Sequence, residues 1–185
     1  MFRIGPVGSY AAANTSRAYA DSRFPVVAFD DFAKQAMPRF HPTADQLRAS
    51  YDALIRRVCP CVIVAHSASG LPALEAAQRH ADMIAAVVAV EPSAVPAIDK
   101  PKPVAQLFMW GDHLDLSDDG GDWAKQYHSA HAYHQAMLGV RGTSTWVHLP
   151  QAGIRGNSHM LMMDDNSADL ARRVHRWLSQ LGPRF

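Results

Sequence analysis

The pattern of apolar and polar positions changes character near residue 58. Downstream of it, short continuous apolar runs alternate with segments whose apolar residues recur every three or four positions. Cys61-Val62-Ile63-Val64-Ala65 is the first such run, and it has the form of a strand buried on both faces of a parallel sheet. Residues 84–90, 104–110 and 143–149 predict three more strands. Between them, residues 70–80 predict a helix with Leu71, Leu74 and Ala77 inward. Trp123, Tyr127, Ala130, His134 and Met137 trace a second helical face, stopped by Gly139. A last helix runs over 167–181, its inner stripe being Leu170, Ala171, Val174, Trp177, Leu178 and Leu181, and Gly182-Pro183 ends it. Strands alternating with helices indicate an α/β domain with a mainly parallel sheet.

The first 58 residues read differently. Residues 1–28 are rich in Gly, Ala, Ser and Pro with scattered aromatics, and predict loop or an irregular lid. Phe29, Phe32, Ala33 and Ala36 give a short helical stripe that Pro38 ends. Thr43 and Gln46 have the spacing of a capping box, opening a helix with Leu47, Tyr51, Leu54, Ile55 and Val58 on one face. The division expected is therefore a lid-like segment over 1–58 and a core over 59–185.

Composition narrows the function classes. Against 18 Lys and Arg stand 17 Asp and Glu, a formal net charge of +1, which excludes the broad basic field of non-specific nucleic-acid binding. No apolar run reaches the 18 residues of a membrane-spanning helix, and the first residues lack the apolar stretch of a signal peptide. Cys59 and Cys61 are too close for an unstrained disulfide and have no second pair to complete a zinc site, so they are expected as two thiols entering a buried strand.

The chemistry-bearing stretch is Ala65-His66-Ser67-Ala68-Ser69-Gly70, where a buried strand runs into a serine and then a helix. A nucleophile elbow has this form: a sharp turn thrusts the serine hydroxyl out of the sheet, with small residues two before and two after it. Ala65 and Ser69 occupy those positions in place of glycine, and Ser69 is expected to be the more strained for it. A plain helix cap would have a similar sequence.

A serine hydroxyl needs a base within hydrogen-bond reach, and the base needs an orienting carboxylate. Both must come from the carboxyl ends of later strands. Glu91 directly follows the second strand, and His159 lies in the loop Gly153-Ile154-Arg155-Gly156-Asn157-Ser158-His159 before the last helix. Asp112 and Asp115, after the third strand, are the competing acids, with turn formation as their ordinary role. His128, His131 and His134 are spaced three apart on one helix, which turns the outer two well away from each other. They are expected as a solvated or lid-facing stripe, not a metal site. His66 is expected to pack and hydrogen-bond beside the serine.

The segments AHSASG, VAVEPS, MWGDHLD and LPQAGIRGNSHMLMMDDN resemble bacterial α/β-hydrolase carboxylesterases, and within them the subgroup that includes sulfonylurea-herbicide de-esterifying enzymes. The resemblance covers nearly all of residues 59–178, and GPVGSY and FDDFAKQAMPRF are similar to the lid region of that subgroup. It implies a three-layer α/β-hydrolase fold with Ser67 as nucleophile, His159 as base and a glutamate acid, Glu91, after the sixth sheet strand. The intervals of 24 residues from Ser67 to Glu91 and 92 from Ser67 to His159 are similar to the subgroup's. It implies a small-molecule ester as substrate, with no metal or organic cofactor.

The backbone N–H of Ala68 is the first expected oxyanion donor. The second normally comes from a Gly-rich loop after an early strand, and no such loop lies upstream of Ser67. The chain is thus expected to be the C-terminal part of a hydrolase, short of the N-terminal strands, with an exposed edge at Val62–Val64 through which copies could associate. One missing oxyanion donor lowers rate by about 100- to 1000-fold. The alternative reading follows: a truncated or degenerate hydrolase without turnover, acting as a scaffold or completed by a partner chain. Phe2, Tyr10, Tyr19, Phe24, Phe29 and Phe32 are the lid candidates for lining an apolar acyl or alcohol pocket.

Overall fold

In a computed structural model the described residues are 2–6, 17–35, 41–97, 100–117, 121–140 and 144–182. Four strands, β1 (Cys61–His66), β2 (Ile84–Val90), β3 (Ala105–Trp110) and β4 (Ser144–His148), form one sheet in the order β1-β2-β3-β4. Every neighbouring pair is parallel. The helices are α1 (Phe29–Lys34), α2 (Ala44–Val58), α3 (Gly70–Arg79), α4 (Gly121–Leu138) and α5 (Ser167–Gln180).

Alternation along the strands builds two cores. On β3, Phe108 and Trp110 face the layer that holds α3 and α4, where they meet Leu74, Ala77, Tyr127, Ala130 and Met137. Leu107 and Met109 face the opposite layer with Val88, Leu170 and Trp177. A period-two strand with both faces apolar must be covered on both sides, and that gives helix, sheet and helix as three layers. The amphipathic α5 alone among the described helices covers the second face, and Trp177 Nε1 donates to Thr145 Oγ1 at 2.9 Å to anchor it on β4.

The first strand is not buried on both faces as its apolar run alone predicts, but it has the exposed edge expected at Val62–Val64. Among the described residues β1 pairs only with β2, so it is a sheet edge there, and Val64 is 66% exposed. Leu54 and Val58 on α2 are also exposed, at 57% and 53%, leaving Ile55 as the buried residue of that helix. Five apolar positions on one helix face predict a covered stripe, but no described residue covers Leu54 and Val58. The capping box at its start does form: Gln46 N–H donates to Thr43 Oγ1 at 3.2 Å, and Thr43 N–H donates to Gln46 Oε1 at 2.8 Å.

Two side-chain expectations are corrected. Cys59 and Cys61 are joined to each other in a disulfide, not left as thiols. The chain turns at Pro60 and brings their Cα atoms to 4.3 Å, a closeness that the spacing of the two residues did not suggest. His134 is buried, not part of a solvated stripe. Its Nδ1 pairs with Ser144 Oγ at 2.7 Å, and its ring packs beside Phe108 and Trp146. His128 and His131 remain exposed.

The amino-terminal residues are irregular but not peripheral. Arg3, Ile4 and Phe24 are buried. Residues 2–4 and 19–24 clasp the loop that carries His159: His159 N–H donates to Phe2 O, Arg23 N–H to Gly156 O, and Asp165 N–H to Arg23 O, each at 2.9 Å. No described helix is long and apolar enough to cross a membrane.

Candidate active site

The parallel register fixes the site. His66 at the end of β1 lies opposite Val90 at the end of β2, so the next residues, Ser67 and Glu91, emerge side by side at the same edge of the sheet. Glu91 N–H continues the ladder to Met109 O at 2.9 Å. Both residues have positive φ, 54° for Ser67 and 43° for Glu91, conformations that side-chain-bearing residues adopt at a cost of about 1–3 kcal/mol. Such strain survives only where the surroundings over-determine it.

At Ser67 the strand breaks into a short 3-10 turn, Ser67–Ser69, that feeds α3. Ser69 was expected to bear the strain of the elbow, yet it is exposed with an ordinary right-handed φ of −74°. The close approach falls one residue later. A Cβ on Gly70 would lie 2.4 Å from Pro92 Cβ, so glycine there lets α3 start against the residue following Glu91. Ala68 is the second residue of the turn, where N–H groups point away from the helix and have no partner within it.

Opposite the elbow, the Gly153–His159 loop brings an imidazole back over the strand ends. His159 Nε2 lies 3.0 Å from Ser67 Oγ, and Nδ1 lies 2.5 Å from Glu91 Oε2. An ionised carboxylate only accepts, so Nδ1 carries the proton and Nε2 is left to accept from the serine hydroxyl. His66 Nε2 donates to His159 O at 2.8 Å, and the His159 ring sits between His66 and Trp123 at centroid distances of 4.5 and 4.4 Å. Burial and the neighbouring His159 push His66 below its ordinary pKa, so it acts as a neutral prop.

The loop itself is tied down by a buried carboxylate. Asp164 accepts from Ser158 N–H at 2.9 Å, Ser158 Oγ at 2.7 Å and Asn157 Nδ2 at 2.8 Å. Burial raises its pKa, and these three donors act against that rise.

Glu91 is fully buried. Gly111 N–H donates to its Oε1 at 2.7 Å, and Arg3 Nη2 donates to the same oxygen. Burial alone would raise the Glu91 pKa, but the Arg3 guanidinium and the His159 hydrogen bond hold it below the ordinary carboxylate value. Gly111 is needed there, because a Cβ would come within 2.8 Å of the Asn157 and Ser158 carbonyls and 2.9 Å of Glu91 Oε1. Gly111→Ala is expected to lower stability by about 1–3 kcal/mol through overpacking. Thermal unfolding of the variant checks this, and an unchanged Tm would refute it.

The competing aspartates are engaged elsewhere. Asp112 accepts from His113 N–H at 2.7 Å and from Gly156 N–H at 3.0 Å, and Asp115 accepts from the backbone and hydroxyl of Ser117. The Asp115 contacts are those of a turn residue, whereas Asp112 also ties the loop that carries His159 through Gly156, 44 residues away. Of the aromatic lid candidates, Phe2, Phe24, Phe29 and Phe32 pack edge-on or tilted against one another, and Tyr19 stacks on His113 at 3.8 Å. Tyr10 lies outside the described residues. The sequence offered no sign of Arg3, a lone arginine in an aperiodic segment, although it reaches the centre of the site.

No protein-family model matches the chain, and no curated protein sequence does. Among solved structures it is similar to a bacterial esterase described as novel, with 29% identity and a TM-score of 0.86 over 98% of this chain. The fold is that of an α/β hydrolase. The chain spans 56% of the length of that bacterial esterase. A thermostable esterase shares the hydrolase fold more distantly, with 12% identity and a TM-score of 0.50 over 80% of this chain and 39% of its own.

Proposed function

We propose that this α/β hydrolase cleaves small carboxylic esters through an acyl-enzyme, with Ser67 as nucleophile, His159 as general base and acid, and Glu91 as the orienting acid. The observation that carries the reading is the hydrogen-bonded series from Ser67 Oγ, after β1, through His159, in the loop between β4 and α5, to Glu91, after β2. Ser67 Oγ attacks the ester carbonyl as its proton passes to His159 Nε2. The tetrahedral oxyanion is held at the Ala68 N–H. The carbonyl–alkoxy bond then breaks, and His159 returns the proton to the departing alcohol. Water, deprotonated by the same Nε2, adds to the acyl carbonyl, and Ser67 Oγ leaves with the proton as the carboxylic acid is released. Ionised Glu91 holds the Nδ1–H tautomer throughout and stabilises the transient imidazolium. The likeness to a bacterial esterase supports the substrate class, and the motif resemblance supports placing it with the carboxylesterases that de-esterify sulfonylurea herbicides.

The test is a fluorophosphonate label followed by peptide mapping, with hydrolysis of a short nitrophenyl ester measured alongside. The expected outcome is stoichiometric labelling of Ser67 and turnover that the label abolishes. A folded chain that takes no label favours the alternative, a hydrolase fold without turnover that serves as a scaffold or needs a second chain.

A further inference from the structure

Arg3 is 8% exposed, and its side chain is engaged on three sides. Nη2 donates to Glu91 Oε1, Nε donates to the Asp112 carbonyl at 3.0 Å, and the guanidinium carbon lies 4.6 Å from the centroid of Trp123. Trp123 also packs on the His159 ring, so one indole backs both the arginine and the imidazole. The Arg3 backbone has φ of 51°, the same uncommon region that Ser67 and Glu91 adopt. Its Nη1 is buried and finds no hydrogen-bond partner among the described residues. A buried cation with an unpartnered nitrogen weakens a fold, so packing alone accounts poorly for its place.

We propose that Arg3 is a positioning residue for the acid of the triad: it keeps Glu91 ionised and its Oε2 aimed at His159 Nδ1. The inference rests on the esterase reading for its kinetic consequence, but not for its structural one. With Oε1 held by Arg3 and Gly111, the carboxylate cannot rotate, and the remaining oxygen stays with the imidazole. A fully buried carboxylate with no cation beside it takes up a proton more readily, and a protonated Glu91 would no longer favour the Nδ1–H tautomer. The other ionisable groups around Glu91 are His66 at the end of β1, His148 at the end of β4, Asp112 after β3 and Asp164 in the histidine loop. The two histidines are both held toward their neutral forms by burial, and the two aspartates are anionic when ionised, so among the described residues Arg3 is the cation that offsets the Glu91 charge.

Arg3→Met and Arg3→Lys in the full chain test this, with active sites counted by fluorophosphonate so that a poorly folded fraction does not enter kcat. Arg3→Met is expected to lower kcat per labelled site by about 10- to 100-fold with little change in KM. It should also move the acid limb of the pH profile upward by about one unit or more. Arg3→Lys, which keeps the charge, is expected to restore the limb. Independently of turnover, the downfield NMR signal of the proton between His159 and Glu91 should vanish at a higher pH in Arg3→Met than in the parent chain. Equal pH dependence of that signal, or an Arg3→Met variant with a lower Tm but unchanged kcat and pH limb, overturns the proposal. A parent chain that neither labels nor turns over defeats the esterase reading, and the NMR comparison still decides the role of Arg3.

Discussion

Alanine in place of Ser67 is expected to lower kcat for a nitrophenyl ester by about a million-fold, and alanine in place of His159 is expected to do nearly the same. The two side chains act as one unit, 3.0 Å apart: without Nε2 the hydroxyl is not activated, and without the hydroxyl the imidazole has no proton to take. Their losses should therefore not add. A Ser67→Ala/His159→Ala double variant is expected to be no slower than either single variant within a few-fold, retaining what the Ala68 N–H and substrate binding provide. Stability separates chemistry from folding. His159→Ala removes the donor to a fully buried, ionised carboxylate, at a cost of about 1–3 kcal/mol, whereas Ser67→Ala removes a single neutral hydroxyl donor to His159 Nε2, a smaller loss. Thermal unfolding should thus show a lowered Tm for His159→Ala and little change for Ser67→Ala. A His159→Ala variant that keeps more than about a hundredth of the parent kcat would assign the base elsewhere.

Much of this arrangement is legible in the order of the residues, and the reason is geometric. Parallel strands deliver their carboxyl ends to one edge, so a serine and a glutamate placed just after neighbouring strand-like runs converge there, and the loop following β4 returns His159 to them. That order leaves Asp112 and Asp115, after the third strand-like run, open beside Glu91 as the acid, and it is the motif resemblance that favours the glutamate. Arg3 was out of reach because it belongs to an aperiodic segment and meets a partner 88 residues away, a contact that no local pattern encodes. His134 carries two signals, the apolar face it shares with Tyr127, Ala130 and Met137 and the three-residue spacing with His128 and His131; the sheet covers the first face, so the solvated-stripe reading fails for His134 alone. Ser69 was misread because the elbow has its close approach at Gly70, where α3 meets Pro92. The edge position of β1 was implied by where the strand pattern begins, but a continuous apolar run looks the same in an edge strand as in a central one.

Glu91→Gln is expected to lower kcat by about ten-thousand-fold while leaving the fold in place, and Asp112→Asn to leave kcat within about tenfold of the parent. An amide is nearly the same shape as a carboxylate, but it can turn an NH2 toward Nδ1 and so impose the tautomer that leaves Nε2 protonated and unable to accept from Ser67. It also removes the charge that balances Arg3 in a site closed to water. Asp112 touches the site through the loop: its side chain holds Gly156 and its carbonyl holds Arg3, so Asp112→Asn loses one acceptor for Gly156 N–H and about 1–3 kcal/mol of stability. The pH dependence of stability follows from the same group. The Glu91 pKa is lower folded than unfolded, so its contribution is complete above the ordinary carboxylate range and is lost as pH falls through the depressed folded value. Glu91→Gln should therefore flatten the acid side of the Tm-against-pH curve, and Asp112→Asn should flatten it less: the Gly156 and His113 N–H groups hold the Asp112 pKa low against its burial, but that carboxylate is not paired with a buried cation. The reverse pattern in kcat, with Asp112→Asn inactive and Glu91→Gln active, would move the acid to the end of β3 and leave Glu91 as the structural counterion of Arg3.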